Sequence, residues 1–387
     1  YTNILILTEQ KNEQIQYFEV NNLNDWLLRH YDYYKYSNQI NIANLSDEGW
    51  IMFPRYLELI YNKIIQNTIC LKDFVGNNNI LNGIQTSRND YYVFKAKKID
   101  EKYYYFDKDG KEYIVEKEVV RPYYKTPNAK SDDSLSTYKR FVPNSFVIYP
   151  YKLDNEQIKF IEIDELQENY PYCYEYFITN KEKFIYSAKG GKRDIKPAVT
   201  TENEWYRYGR EQALQMGNID KKIVVGIMSK GNKYAIDESK TFISSGGTAG
   251  HCMIVLPKDS QYSIYYLQAI LNSKQLELLA IFNGEIFRGN YTARGTKVLK
   301  KLPIKTIDFE NNQEKLLHDN ISLYQEKLIE INEKLILNKE NRRQCEILEN
   351  EFKRTKQLLD KELLSLYGMT QEEFDEIPNI RDFYAAN

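Results

Sequence analysis

Six apolar residues near the C-terminus, Leu317, Ile321, Tyr324, Leu328, Ile331 and Leu335, fall at spacings of 4, 3, 4, 3 and 4. Only an α-helix brings residues at that spacing onto one side, and the stripe is as narrow as a coiled-coil seam. A second seam follows at Cys345, Leu348, Phe352, Leu359, Leu363 and Leu366, with the polar stretch Asn338–Asn341 between the two. The pattern predicts an antiparallel helical hairpin closed by Gly368 as its C-cap. From Ile307 to Asn387 there are 18 acidic and 11 basic residues, a net of −7, whereas the whole chain carries −2. The first 306 residues therefore carry about +5: a mildly basic body followed by an acidic tail.

Upstream the pattern changes to that of strands. From about Leu71 to Pro257 short runs rich in Tyr and Val alternate with turn residues, in a chain holding 34 tyrosines. Tyr103–Phe106 and Glu112–Glu116 flank Lys108-Asp109-Gly110-Lys111, and Ile223–Met228 and Tyr234–Ile236 flank Lys230-Gly231-Asn232; both read as hairpins. Phe146–Tyr151 reads as a further strand, and Tyr262–Asn283 as a helix running into a Gly- and Arg-bearing loop at Phe287–Lys297. At the other end, Thr2–Thr8 and Ile15–Val20 read as a hairpin, Asn22–Tyr36 as a linker with a short helix, and Phe53–Asn67 as a helix. The fold class expected is α+β: a β-rich domain with flanking helices, then the helical hairpin. The boundaries are 1–45, 46–306 and 307–387.

Several function classes have no foothold. Cys70, Cys173, Cys252 and Cys345 lie far apart with no CxxC pair, and only three histidines occur, so neither a metal site nor a disulfide framework is expected. That cysteine usage, no apolar run of membrane-spanning length and no opening signal peptide suggest a cytoplasmic protein without a membrane partner. There is no GxSxG, HExxH or GxxxxGK[ST] string, no Asn/Asp-Pro-Pro-aromatic string to position an adenine amine, and no Gly-rich cofactor loop. No catalytic residue and no cofactor are expected in this chain.

Four segments carry residue types suited to nucleic acid. Thr86, Ser87, Arg88 and Asn89 sit on a turn before a strand, where amides and hydroxyls meet a phosphate; an ordinary surface turn has the same composition. Lys189, Lys192 and Arg193 flank two glycines on a basic loop that would follow a phosphate backbone or be merely solvated. Arg207, Arg210 and Gln212 interleave with Trp205, Tyr206 and Tyr208, which suits base contacts and stacking, or equally an aromatic core with snorkelling arginines. Arg288, Tyr291, Arg294 and Lys297 lie in a stretch with three cations, two glycines and no acid, the best DNA-contacting candidate, unless it simply connects two elements.

In order along the chain, these segments resemble the C-terminal halves of TaqI-like adenine-specific DNA methyltransferases, including type IIG restriction–modification enzymes and the phage-exclusion methyltransferases of BREX systems. Gly83–Phe94 resembles that family's G-I-x-T-G-x-N-x-x-F-V signature, and Val119–Lys125 its R-P-x-L-K element. Trp205–Ala213, the Lys222–Val225 strand and Tyr265–Lys274, which contains L-N-S, match in type and order. Gly289–Ile304 resembles G-x-Y-x-x-x-G-x-K-x-L-x-x-L-P-I, and Leu363–Glu373 the L-Y-x-L-T-x-E-E terminus. The resemblance covers about residues 50–375. It departs at Ser87, where the family has a second glycine, and in lacking a catalytic half.

The resemblance implies a target-recognition domain that reads duplex DNA. The Thr2–Val20 hairpin resembles the last strands of the family's methyltransferase domain, so a domain binding S-adenosylmethionine and holding a flipped adenine would lie upstream of Tyr1. The helical pair would support the reader or dock a protein partner. The competing reading is a protein-interaction scaffold, with its cations scattered and an apolar stripe exposed along Leu317–Leu335; a specificity subunit acting in trans lies between the two.

Overall fold

A computed structural model describes residues 11–18, 20, 23–30, 32–45, 50, 52–126, 137–155, 157–283, 286–287 and 291–378. The class is α+β, as expected, with several small sheets and a helical C-terminal region.

The central sheet has the order Ala235–Asp237, Lys222–Gly226, His251–Ile254, Ile80–Asn82, all antiparallel. Successive side chains of a strand point to opposite faces, and here both faces are covered. Ile223, Val225, Cys252 and Ile254 join one core, while Val224 and Met253 join another. That is why Lys222–Gly226 is buried at every position instead of alternating. Even Lys222 is fully buried, its ammonium held by the equally buried Asp237 at 2.5 Å.

On the first face lie the helix Arg55–Ile65, the helices Ile264–Leu271 and Lys274–Asn283, and the C-terminal hairpin, sharing one apolar core from Leu57 to Ile377. The expected single helix over 262–283 is two. At the break, Asn272 gives its side chain to the Tyr234 backbone, donating at 2.9 Å and accepting at 3.0 Å, and Ser273 Oγ accepts the Leu276 amide at 3.2 Å to start the next helix. Both polar residues of the L-N-S string thus have local work.

The second core is aromatic. A sheet of order Phe242–Ile243, Val120–Tyr124, Ser145–Ile148, Val93–Phe94 and the meander Lys98–Ile99, Tyr103–Lys108, Lys111–Glu116 enclose Tyr92, Phe106, Tyr176, Phe177, Tyr206 and Tyr208. The meander turns at Asp109 (φ 49°) and Gly110 (φ 79°), the two left-handed residues of the expected hairpin. Residues 163–185, expected as strand and turn, are instead three helices: Ile163–Asn169, Pro171–Thr179 and Lys181–Ile185. Pro171 begins the middle one, and its buried Cys173, Tyr176 and Phe177 have helical spacing that the surrounding aromatics hid. The expected strand over 146–151 is likewise split, into Ser145–Ile148 and Tyr151–Asp154.

The hairpin Asn312–Leu337 and Arg342–Tyr367 forms as the seams predict, reversing at 338–341 and ending at Gly368 in the left-handed conformation. Ile321, Leu328 and Ile331 are buried, so the stripe expected of a free scaffold is covered. The first helix lies on Ile264–Leu271, where Gln325 donates to Gln268 at 3.0 Å and His318 Nε2 accepts the Ser263 amide at 3.0 Å. At the N-terminus, Gln14–Phe18 pairs with Ser37–Asn41, just after the stretch read as linker; Thr2–Thr8, its expected hairpin partner, lies outside the described residues. Among the described residues no helix is long and apolar enough to cross a membrane.

Candidate nucleic-acid interface

The segment Gly83–Asn89 organises the region. Gly83 lies so close to the neighbouring chain that an added Cβ would stand 2.1 Å from the Ile243 carbonyl oxygen, which only glycine permits. On that side Ile84 N–H donates to Ile243 at 2.8 Å, Ser245 N–H donates to Ile84 at 3.0 Å, and Gly83 N–H donates to His251 at 3.2 Å. On the other side Gly209 N–H donates to Thr86 and Arg210 N–H to Gln85, both at 3.1 Å, and the Gln212 amide donates to the Gly83 carbonyl at 2.7 Å. The last stretch joins through Ile227, which donates to Gly250 at 2.9 Å and accepts the Arg294 amide at 2.6 Å. Segments 83–89, 193–196, 205–212, 244–251 and 291–297 are therefore stitched edge to edge although far apart in sequence.

Within the turn, Thr86 is buried and its hydroxyl donates to Asn89 Oδ1 at 2.6 Å, while Ser87 and Asn89 are exposed. Ser87 has φ 61°. This is the position where the resembled signature carries glycine, and the left-handed backbone is the physical reason: a side chain there costs roughly 1 kcal/mol. The departure keeps the backbone shape.

The arginines are divided by burial. Arg88 is buried; its guanidinium grips Asp90 through two bonds of 2.9 and 2.7 Å, and also donates to the Tyr186 carbonyl. Arg193 is buried and donates to the carbonyls of Thr86 (2.8 Å), Trp205 (2.9 Å) and Arg207, pinning the loop to the turn. Arg207 is buried between Glu204 and Glu211, and Arg210, half-buried, reaches Asp194 at 2.6 Å. Burial pushes the Glu204 carboxyl up, but hydrogen bonds from Thr200 and Arg207 outweigh it and hold the group down at about 2. Arg294 is fully buried: Nη1 donates to Asn232 Oδ1, and Nε and Nη2 have no acceptor among the described residues. These five were expected as DNA contacts; in this conformation their guanidinium groups bond to the protein itself, and four are shut off from solvent.

Of the other expected contacts, Lys189, Lys192 and Lys297 are exposed, and no ion pair holds them among the described residues. Tyr291 is half-buried beneath the Lys230 ammonium, 4.7 Å from the ring centre. Gln212 is committed to Gly83, and Arg288 lies outside the described residues. Of the cations expected to contact DNA, only these three lysines are exposed among the described residues. Two participants escaped the sequence reading: Gly209, and the loop Ser244–Gly250, whose S-S-G-G-T-A-G composition was signal enough to single it out. For Arg207 the signal was an acid three residues before and another four after it.

No family model matches the chain. It is similar to "Type II restriction enzyme and methyltransferase RM.Eco57I" of Escherichia coli, 42% identical over 387 residues, covering 99% of this chain and 38% of that protein. The chain thus spans well under half the length of that relative, and over that span it is related to a restriction–modification protein.

Proposed function

We propose that this chain is the target-recognition part of an adenine-specific, TaqI-like DNA methyltransferase of the restriction–modification type, reading duplex DNA for chemistry performed elsewhere. The observation that supports this is the backbone stitching of the turn 83–89 to the loop 205–212 and, through 244–251 and Ile227, to the segment 291–297, with Ser87 and Asn89 exposed and Lys189, Lys192 and Lys297 exposed and without an ion pair among the described residues. Buried arginines make the loops rigid, and exposed polar groups and lysines make the contacts, as a reader of base edges and phosphates requires. The relative's name joins restriction to methylation, which supports placing this chain beside a methyltransferase domain that binds S-adenosylmethionine. Phage defence in the cytoplasm is the setting proposed.

A scaffold remains the alternative, but the buried Ile321, Leu328 and Ile331 leave its expected stripe unavailable. A specificity subunit acting in trans would share the same DNA-facing surface. The test is duplex binding at about 50 and about 200 mM salt, with Lys189, Lys192 and Lys297 changed together to Ala. Affinity that falls steeply with salt and collapses in the triple variant is expected. Equal affinity of the triple variant and the parent would overturn the assignment of this face.

A further inference from the structure

We infer that three lysines, Lys72, Lys297 and Lys300, form a second contact surface for the DNA phosphate backbone, continuing the proposed reading face outward; this rests on the DNA-reading assignment. Lys72 belongs to no motif discussed above, and Lys300 stands at a variable position of the Gly289–Ile304 element.

The geometry follows from a two-stranded ribbon. Thr68–Cys70 pairs antiparallel with Pro303–Lys305, so the short helix after the first strand, Leu71–Val75, lies beside the short helix before the second, Thr296–Leu299. Two backbone bonds lock them: Leu71 N–H to the Leu302 carbonyl at 2.8 Å, and Lys72 N–H to the Lys300 carbonyl at 3.3 Å. Leu71, Val75 and Leu299 are buried, which turns Lys72 and Lys297 outward, with Lys300 half-exposed between them. Asp73 is the acid beside Lys72 on its helix, and it is exposed.

What marks this patch is that the backbone bonds bring unpaired lysines from two distant segments together. Several surface lysines elsewhere are answered by carboxylates, Lys97 by Asp107 and Glu112, Lys152 by Glu165, Lys159 by Asp154, Lys240 by Asp220 and Lys327 by Glu351, whereas others, such as Lys189 and Lys192, are not. Lys72, Lys297 and Lys300 have no ion pair among the described residues. Three adjacent ammonium groups repel one another, and a polyanion relieves that repulsion by displacing its own counterions onto solvent. Point charges on flexible stems suit phosphates rather than base edges, so the surface adds affinity without sequence preference.

The experiment is titration of a fluorescent DNA duplex with the full chain over a salt series, comparing the parent with Lys72→Ala, Lys300→Ala, their double variant and the charge-keeping Lys72→Arg. The slope of log affinity against log salt should fall by about 0.9 for each phosphate contact removed. Lys72→Arg should keep the parent slope, and Lys353→Ala, on the outer hairpin helix, should leave it unchanged. Parent-like slopes in the Lys72 and Lys300 variants, with weakened binding in the Lys189/Lys192/Lys297 variant, would overturn this surface and leave the reading assignment standing. No duplex binding by the parent at any salt would overturn both.

Discussion

Ser87 Oγ occupies the place where a side chain on Gly209 would begin: a Cβ built on Gly209 stands 1.8 Å from that oxygen and 2.6 Å from Ser87 Cβ. The next atom, the Asp194 carbonyl oxygen, is at 3.6 Å, an ordinary contact. Gly209→Ala should therefore destabilise the chain by about 1–3 kcal/mol through overpacking against one side chain. Ser87→Gly removes that side chain and the left-handed strain together, so the double variant should recover most of the loss. A double-mutant cycle by urea denaturation measures the coupling, expected at about 1 kcal/mol or more. Additive effects would mean that the clash is relieved by backbone movement instead.

Lys222 and Asp237 are both fully buried, and the aspartate also accepts from the Thr241 hydroxyl at 2.7 Å and amide at 2.9 Å. Burial pulls the Lys222 ammonium below its ordinary value, while Asp237 partly restores it. Lys222→Ala strips the carboxylate of its counter-charge and should cost about 3–5 kcal/mol. A denaturation midpoint close to the parent's would show that the Thr241 bonds alone satisfy Asp237.

These pairs mark what a sequence reading reaches. The C-terminal hairpin was legible because a 4-3 repeat has one structural meaning, and Asp109-Gly110 because few residues accept two left-handed positions. Lys222 was not, since a lysine at the start of a strand ordinarily points to water, and nothing local says that this sheet is covered twice. Nor could composition separate the four buried arginines from the exposed lysines, although both sit in glycine-bearing, aromatic-flanked segments. The distinction lies in non-local carbonyls and carboxylates, such as the Thr86 carbonyl that meets Arg193. The turn 83–89 was found by its motif, but its partner Gly209 only appears once two distant backbones are brought together.

Glu204 gives the loop 200–211 a pH dependence of defined sign. Its carboxyl, pushed up by burial and more strongly held down by Thr200 and Arg207, is depressed from its ordinary 4.5 to about 2. A depressed acid contributes its stability in full above the ordinary value and loses it as pH falls through the folded one. The parent's thermal midpoint should therefore fall between pH 4.5 and about 2 more than that of Glu204→Gln. At pH 7 the variant should be the less stable, and the gap should close on acidification. A gap that stayed constant with pH would assign the loss to packing and not to the carboxylate charge.

Arg294 and Lys297 are three residues apart yet should fail in different assays. Arg294 is completely buried, bonded to Asn232, with the amide of its own backbone on Ile227. Removing so large an internal side chain leaves a cavity and an orphaned Asn232 acceptor, so Arg294→Ala should lose about 2–5 kcal/mol of stability. Lys297 is exposed, and its substitution by Ala should shift stability by no more than about 0.5 kcal/mol. Duplex affinity at about 50 mM salt should nonetheless fall in Lys297→Ala, because a phosphate contact needs a charge in solvent. Measuring melting and duplex binding on both variants separates the two roles. If Arg294→Ala melted like the parent and lost DNA binding, its guanidinium would have to swing out of the core on contact, and the segment 291–297 would be a moving clamp rather than a fixed edge.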